Sequence, residues 1–180
     1  MLYIVRSTMG TRKTVERWVP VIKKCADQYQ IDPYLIASII AQESGGPYCL
    51  PDGSANPYAI RVEQGFWKTY FTNIMKWVKN TPTKYDDRWS KYPDIYACSY
   101  GLGQIMLQTA YENGFNGIFP TELCDPEVNV NLICKIISKH LKNTGSVRSA
   151  LLRYNGGGNP EYPAHVLAHR DEIIDAKVFG

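Results

Sequence analysis

Apolar residues recur along most of this chain at intervals of three and four, the period of a helix with one buried face. Between about Thr14 and Tyr29, the positions Val15, Trp18, Val19, Ile22, Cys25, Ala26 and Tyr29 keep that spacing and predict a first amphipathic helix. Asp32 followed by Pro33 reads as an N-cap with proline at the first helical position. Gly45, Gly46 and Pro47 stop the helix they open, which carries the stripe Ile36, Ile39, Ile40. Phe66, Tyr70, Ile74, Trp77 and Val78 predict a third helix over Gly65 to Val78, and a fourth opens at Gly101 to Met106, runs through Ala110 and ends near Gly114. Asp125-Pro126-Glu127 repeats the cap-plus-proline signal. Leu132, Ile133, Ile136, Ile137, His140 and Leu141 then share one face of what should be the central buried helix. Ser146 caps a short helix with Val147, Ala150, Leu151 and Tyr154, and Tyr162 to Ile174 forms a last one.

Two stretches break the pattern. Tyr48 to Ile60, with Pro51, Gly53 and Asn56-Pro57, reads as irregular, and Asn80 to Tyr96, with Pro82, Pro93 and many charges, as an exposed insertion. Alternating β-branched runs and internal repeats are both missing, so the fold class is mainly α, in one domain over residues 1–180.

Composition changes this picture little. A net charge of +3, without a concentrated Lys/Arg stripe, argues against a nucleic-acid partner. Thirteen tyrosines, four tryptophans and five phenylalanines suit sugar stacking or a core equally. The opening Met-Leu-Tyr-Ile-Val-Arg is too short an apolar run for a signal peptide, and no stretch is long enough to cross a membrane, so a soluble chain is expected. The five cysteines contain no Cys-x-x-Cys. Cys25 and Cys134 fall on apolar helix faces, while Cys49 and Cys98 flank the irregular loops and could pair.

The chemistry concentrates at one position. Glu43 continues the stripe Ile36, Ile39, Ile40 in the last helical turn, so a carboxyl group is directed toward the core. Burial and the negative end of the helix dipole both disfavour the anion, which should raise its pKa. A carboxylic acid that keeps its proton near neutral pH can protonate a leaving glycosidic oxygen. The plainer reading is a glutamate that turns to solvent at a frayed helix end.

Glu43-Ser44, Gly101-Leu102-Gly103-Gln104-Ile105-Met106 and Ala150-Leu151-Leu152-Arg153-Tyr154-Asn155-Gly156-Gly157 are each weak signals alone. In this order and spacing they resemble the lytic transglycosylase domain of the lysozyme-like superfamily, related to goose-type lysozymes, over about Val15 to Ile173. The pieces Asn56-Pro57-Tyr58-Ala59-Ile60-Arg61-Val62-Glu63-Gln64 and Leu123-Cys124-Asp125-Pro126-Glu127 are similar to a branch found in phages and prophages. The resemblance implies a lysozyme-like domain with a substrate cleft and an inserted irregular segment. It makes Glu43 the catalytic acid and then base, with Ser44 orienting the site. It gives Gln104 and Met106 to the sugar, Tyr154 to a hydrogen bond that aims the Glu43 carboxyl, and Asn155 to the turn or the substrate. Where the family more often has Gly-Leu-Met-Gln, Gly103 replaces the methionine.

The implied substrate is the peptidoglycan glycan strand, cut without water to leave 1,6-anhydro-muramic acid ends. Hydrolysis needs a second carboxyl group, and Glu63, Asp86, Asp87 and Asp94 read better as solvated acids. A goose-type hydrolase using one of them is the first alternative, and an inactive wall-binding or virion module the second. His165 and His169 lie four apart, but Val166 stands where a zincin has glutamate, so neither metal nor cofactor is expected. Trp67, Tyr70 and Trp77 could floor a sugar groove or pack in the core. Action in the periplasm or at the cell wall would require delivery, with virion or secretion-machinery proteins as partners.

Overall fold

The computed structural model describes residues 8–80 and 93–180. The N-terminal apolar run and most of the expected insertion, with Asp86 and Asp87, lie outside the described residues, as do the side chains of Ile74, Trp77 and Val78. Eight α-helices and one small sheet are described: α1 Thr8–Glu16, α2 Val19–Tyr29, α3 Pro33–Ser44, α4 Gln64–Asn80, α5 Leu107–Glu112, α6 Pro126–Thr144, α7 Val147–Tyr154 and α8 Tyr162–Asp175. The strands β1 Ile60–Val62, β2 Cys98–Tyr100 and β3 Ile105–Met106 pair antiparallel in the order β1-β2-β3. The fold is that of a mainly α, lysozyme-like domain. Among the described residues no helix is long and apolar enough to cross a membrane.

The first predicted helix is two. Pro20 has no N–H to give to a preceding turn, and the chain breaks at Trp18 before restarting as α2 with proline in its first turn. The indole of Trp18 is turned to useful account there, donating to the Ala55 carbonyl at 3.1 Å and fixing the irregular loop against the helices.

Helix α3 begins where Asp32 and Pro33 place it, with the Asp32 side chain accepting from the Tyr34 N–H at 3.0 Å. All seven residues from Leu35 to Ala41 are buried, so the predicted stripe is part of a helix enclosed on every side, packed on α8, α1, α2 and α6. Helix α6, expected as the centre, keeps Lys135 and Lys139 exposed along one face and packs α2 and α7 with the other. Its N-cap Asp125 accepts from two backbone N–H groups, and Gly145 closes it in the left-handed conformation.

The sheet is the element that apolar periodicity misses. In β1 the apolar Ile60 and Val62 are exposed and the charged Arg61 is half-buried, the inverse of an amphipathic strand. Gly101 to Gln104 form a turn, not the start of a helix, and α5 begins only at Leu107. Gly114 ends α5 as expected, with φ +86° and the Phe115 N–H returning to the Ala110 carbonyl. At the end of the charged stretch, Pro93–Ala97 is a 3₁₀ turn whose Tyr96 and Ala97 are buried, so this part is core and not exposed insertion.

Candidate active site

The end of α3, the sheet, α7 and the start of α8 enclose a cleft of about 500 Å³. Glu43 reaches it because Gly45 turns extended straight after Ser44, ending α3 with the glutamate in its last turn. Its side chain is 16 % exposed. The Tyr162 hydroxyl donates to Oε1 at 2.7 Å, and Arg61 Nη2 stands 3.4 Å from Oε2. Burial raises the Glu43 pKa, Tyr162 and Arg61 pull it down, and nearby Glu63 pushes it up again; the net direction is upward.

The sheet wall is built by register. Arg61 pairs with Ser99 and Ser99 with Met106, which brings the three residues into one row across the strands. Gln104 adopts φ +47°, and its side chain fixes that turn. Nε2 donates to the carbonyls of Gly101 at 2.7 Å and Ala59 at 3.1 Å, while Oε1 accepts from Arg61 and lies 2.9 Å from the Ser99 hydroxyl. Both polar atoms of the Gln104 side chain are thus engaged within the protein, stapling the turn to the sheet.

Asn129 on α6 holds the same turn from behind. Fully buried, it donates to the carbonyls of Tyr100 at 3.0 Å and Leu123 at 2.7 Å, and accepts from the Gly103 N–H at 2.8 Å. The glycine at position 103 has a steric cause. A Cβ there would sit 2.5 Å from Ile133 Cγ1 and 2.8 Å from the Tyr154 hydroxyl oxygen, so no methionine fits.

The residues predicted for the site therefore separate. Glu43, Gln104, Met106, Tyr154 and Asn155 line the cleft. Ser44 is buried behind it, its hydroxyl donating to the Leu102 carbonyl at 2.7 Å and tying the end of α3 to the glutamine turn. The tyrosine hydroxyl on the Glu43 carboxyl is that of Tyr162, whereas Tyr154 donates to the Gly103 carbonyl at 3.0 Å and stacks on Tyr162 with ring centroids 6.5 Å apart. The Asn155 side-chain Oδ1 accepts from the Asn159 N–H at 3.1 Å, fixing the turn.

Arg61, Ser99, Asn129 and Tyr162 were missed. For Arg61 and Glu63 a signal existed, since charged residues two apart between exposed-strand positions point to one face; for Tyr162 and Asn129 only tertiary packing reveals the partner. Glu63 lines the cleft with its carboxyl 2.8 Å from the Ser99 hydroxyl, and Asp94 is exposed on the 3₁₀ turn. Phe66 joins the cleft wall, Trp67 packs on the core, and Tyr70 is exposed. All five cysteines are free: Cys98 contacts the Asp94 carbonyl and Cys49 the Ser44 carbonyl, so the two do not pair. His169 packs in the wall between α1 and α8, 3.6 Å from Glu172, with Thr11 close by.

An enclosed carboxyl group at a helix end thus faces a polar cleft in a mainly helical, lysozyme-like domain. The chain belongs to the transglycosylase SLT domain family, whose model matches residues 20–165. It is in general terms a peptidoglycan lytic transglycosylase domain. No curated protein and no solved structure matches it.

Proposed function

We propose that the protein cleaves the β-1,4 bond between N-acetylmuramic acid and N-acetylglucosamine, with Glu43 as the sole acid and then the base. The observation carrying this reading is the Glu43 carboxyl itself, buried, inclined to keep its proton, and directed into the cleft by Tyr162. The Tyr162 hydroxyl donates to Oε1 and Arg61 Nη2 to Oε2, which holds the carboxyl group and its transferable proton in the cleft.

In the first half-reaction Glu43 gives this proton to the glycosidic oxygen as the C1–O bond breaks, and the carbonyl oxygen of the muramic N-acetyl group bonds to C1. In the second, ionised Glu43 takes the proton of the C6 hydroxyl while O6 attacks C1 and displaces the acetamido oxygen. The 1,6-anhydro ring closes, the carboxyl regains its proton, and no water is consumed. Tyr154, Asn155, Gln104 and Met106 shape the cleft around this centre, and Ser44 anchors the end of the helix that presents Glu43.

A second reading follows from Glu63, which stands on the same wall and is 40 % exposed. A carboxylate so placed could activate water, giving a goose-type hydrolase. Mass spectrometry of the muropeptides released from purified sacculi separates the two: anhydro ends are expected, and reducing ends in their place overturn the transglycosylase reading for this chain. The substrate sets action in the periplasm or at the cell wall, and delivery by a virion or a secretion machine, with proteins of either as partners, accords with it.

A further inference from the structure

Among the described residues lining the cleft, Arg61 is the only cation, set against two carboxyl groups, Glu43 and Glu63. Its guanidinium is fixed from several directions. Nη2 stands 3.4 Å from Glu43, Nε donates to Gln104 Oε1 and lies 3.9 Å from Glu63, and Cζ rests 5.0 Å over the ring of Tyr48. These contacts come from the end of α3, the glutamine turn, the end of β1 and the 3₁₀ turn Gly46–Tyr48. We infer that Arg61 is a positioning residue of the reaction, a fixed cation bracketed by Glu43, Glu63 and Gln104 that lets one carboxyl group both release a proton and take one back.

This rests on the reading of Glu43 as acid then base, which asks one carboxyl to be protonated in the first half-reaction and ionised in the second. The groups around it divide clearly. Burial favours the protonated form, and so does the charge of Glu63 just past β1. Tyr162 from α8 donates a hydrogen bond that favours the anion, and Tyr154 from α7 stands close by. Both hydroxyls are held well above the usual tyrosine range by burial, so neither supplies or removes a full charge. That leaves Arg61 as the full positive charge on the carboxyl. Without it, a buried acid beside a second carboxylate would hold its proton too firmly to protonate a leaving oxygen efficiently and would return poorly to the anion. The Gln104 and Tyr48 contacts prevent the guanidinium from swinging wholly to Glu63.

The test compares the parent protein with Arg61→Gln and Arg61→Lys, following Glu carboxyl carbons by NMR in ¹³C-labelled protein, with Glu43→Gln for assignment. The pH dependence of kcat on purified sacculi is measured alongside. The Glu43 carboxyl should titrate at higher pH in Arg61→Gln, the alkaline limb of kcat should move the same way, and kcat should fall more than KM rises. Arg61→Lys, which keeps charge without the fork, should lie between the two and carries the comparison if Arg61→Gln does not fold by circular dichroism. A Glu43 titration that stays at the parent value in the folded variants, or a rise in KM alone, overturns the role given to Arg61. Full activity of Glu43→Gln would instead remove the acid-base reading on which it stands.

Discussion

The two walls that hold the Glu43 carboxyl are built on opposite principles. On the helical wall, α3 and α8 bury apolar residues tightly, and one tyrosine hydroxyl reaches Oε1 from that packing. On the sheet wall, a three-strand ladder holds a partly buried polar network of Arg61, Ser99, Gln104 and Glu63 that reaches Oε2. The helical wall supplies desolvation, which favours the protonated carboxyl group of Glu43; the sheet wall supplies the Arg61 cation, which favours its anion. Enclosure alone would hold the Glu43 carboxyl group still further above the ordinary carboxylate range.

The comparison can be broken first at the joint between the walls. Asn129→Ala leaves the Tyr100 and Leu123 carbonyls and the Gly103 N–H without their partner, and should destabilise the protein by about 3 kcal/mol or more in urea unfolding. Asn129→Asp, which keeps the acceptor and loses the donors, should recover only part of that. Gly103→Ala forces a methyl group against Ile133 and Tyr154, and should cost about 1–3 kcal/mol by the same measurement while lowering activity.

On the helical wall, Tyr162→Phe removes the hydrogen bond to Oε1 and should lower kcat by about tenfold with a shift of the alkaline limb to higher pH. Tyr154→Phe removes a bond to a backbone carbonyl instead, so its kcat should fall less, and its stability by about 1 kcal/mol. Equal losses of kcat in the two variants would mean that the hydroxyl on the carboxyl has no special part.

The smallest effect concerns stability. Because the folded protein holds Glu43 above the ordinary carboxylate range, its contribution to stability is fully present below that range and is lost as pH rises through the folded value. Glu43→Gln should therefore melt above the parent at neutral pH, with the difference shrinking as pH falls below the ordinary carboxylate range. A difference independent of pH would mean that folding leaves the Glu43 carboxyl group at its ordinary pKa.

How much of this could be read in the sequence follows the same division. Helical spacing with Asp32-Pro33, Asp125-Pro126 and Ser146 as caps located the starts of α3, α6 and α7, because burial and capping are local properties. The enclosed position of Glu43 in the last turn of α3 was legible for that reason. The sheet was not, since β1 exposes Ile60 and Val62 and turns Arg61 inward, and Gly101 to Gln104 is held by Asn129, 26 residues beyond Gly103. Tyr162 escaped too, because nothing local to the start of α8 names the carboxyl 119 residues earlier that its hydroxyl meets. Long-range polar partners leave no period in the chain.

The most direct measurement is the release of muropeptides from purified sacculi by Glu43→Gln beside the parent protein, with folding of both checked by circular dichroism. Loss of an essential acid predicts a rate at least about a hundredfold lower in a folded variant. Release at the parent rate would contradict the account and leave a cleft that binds the wall without cutting it.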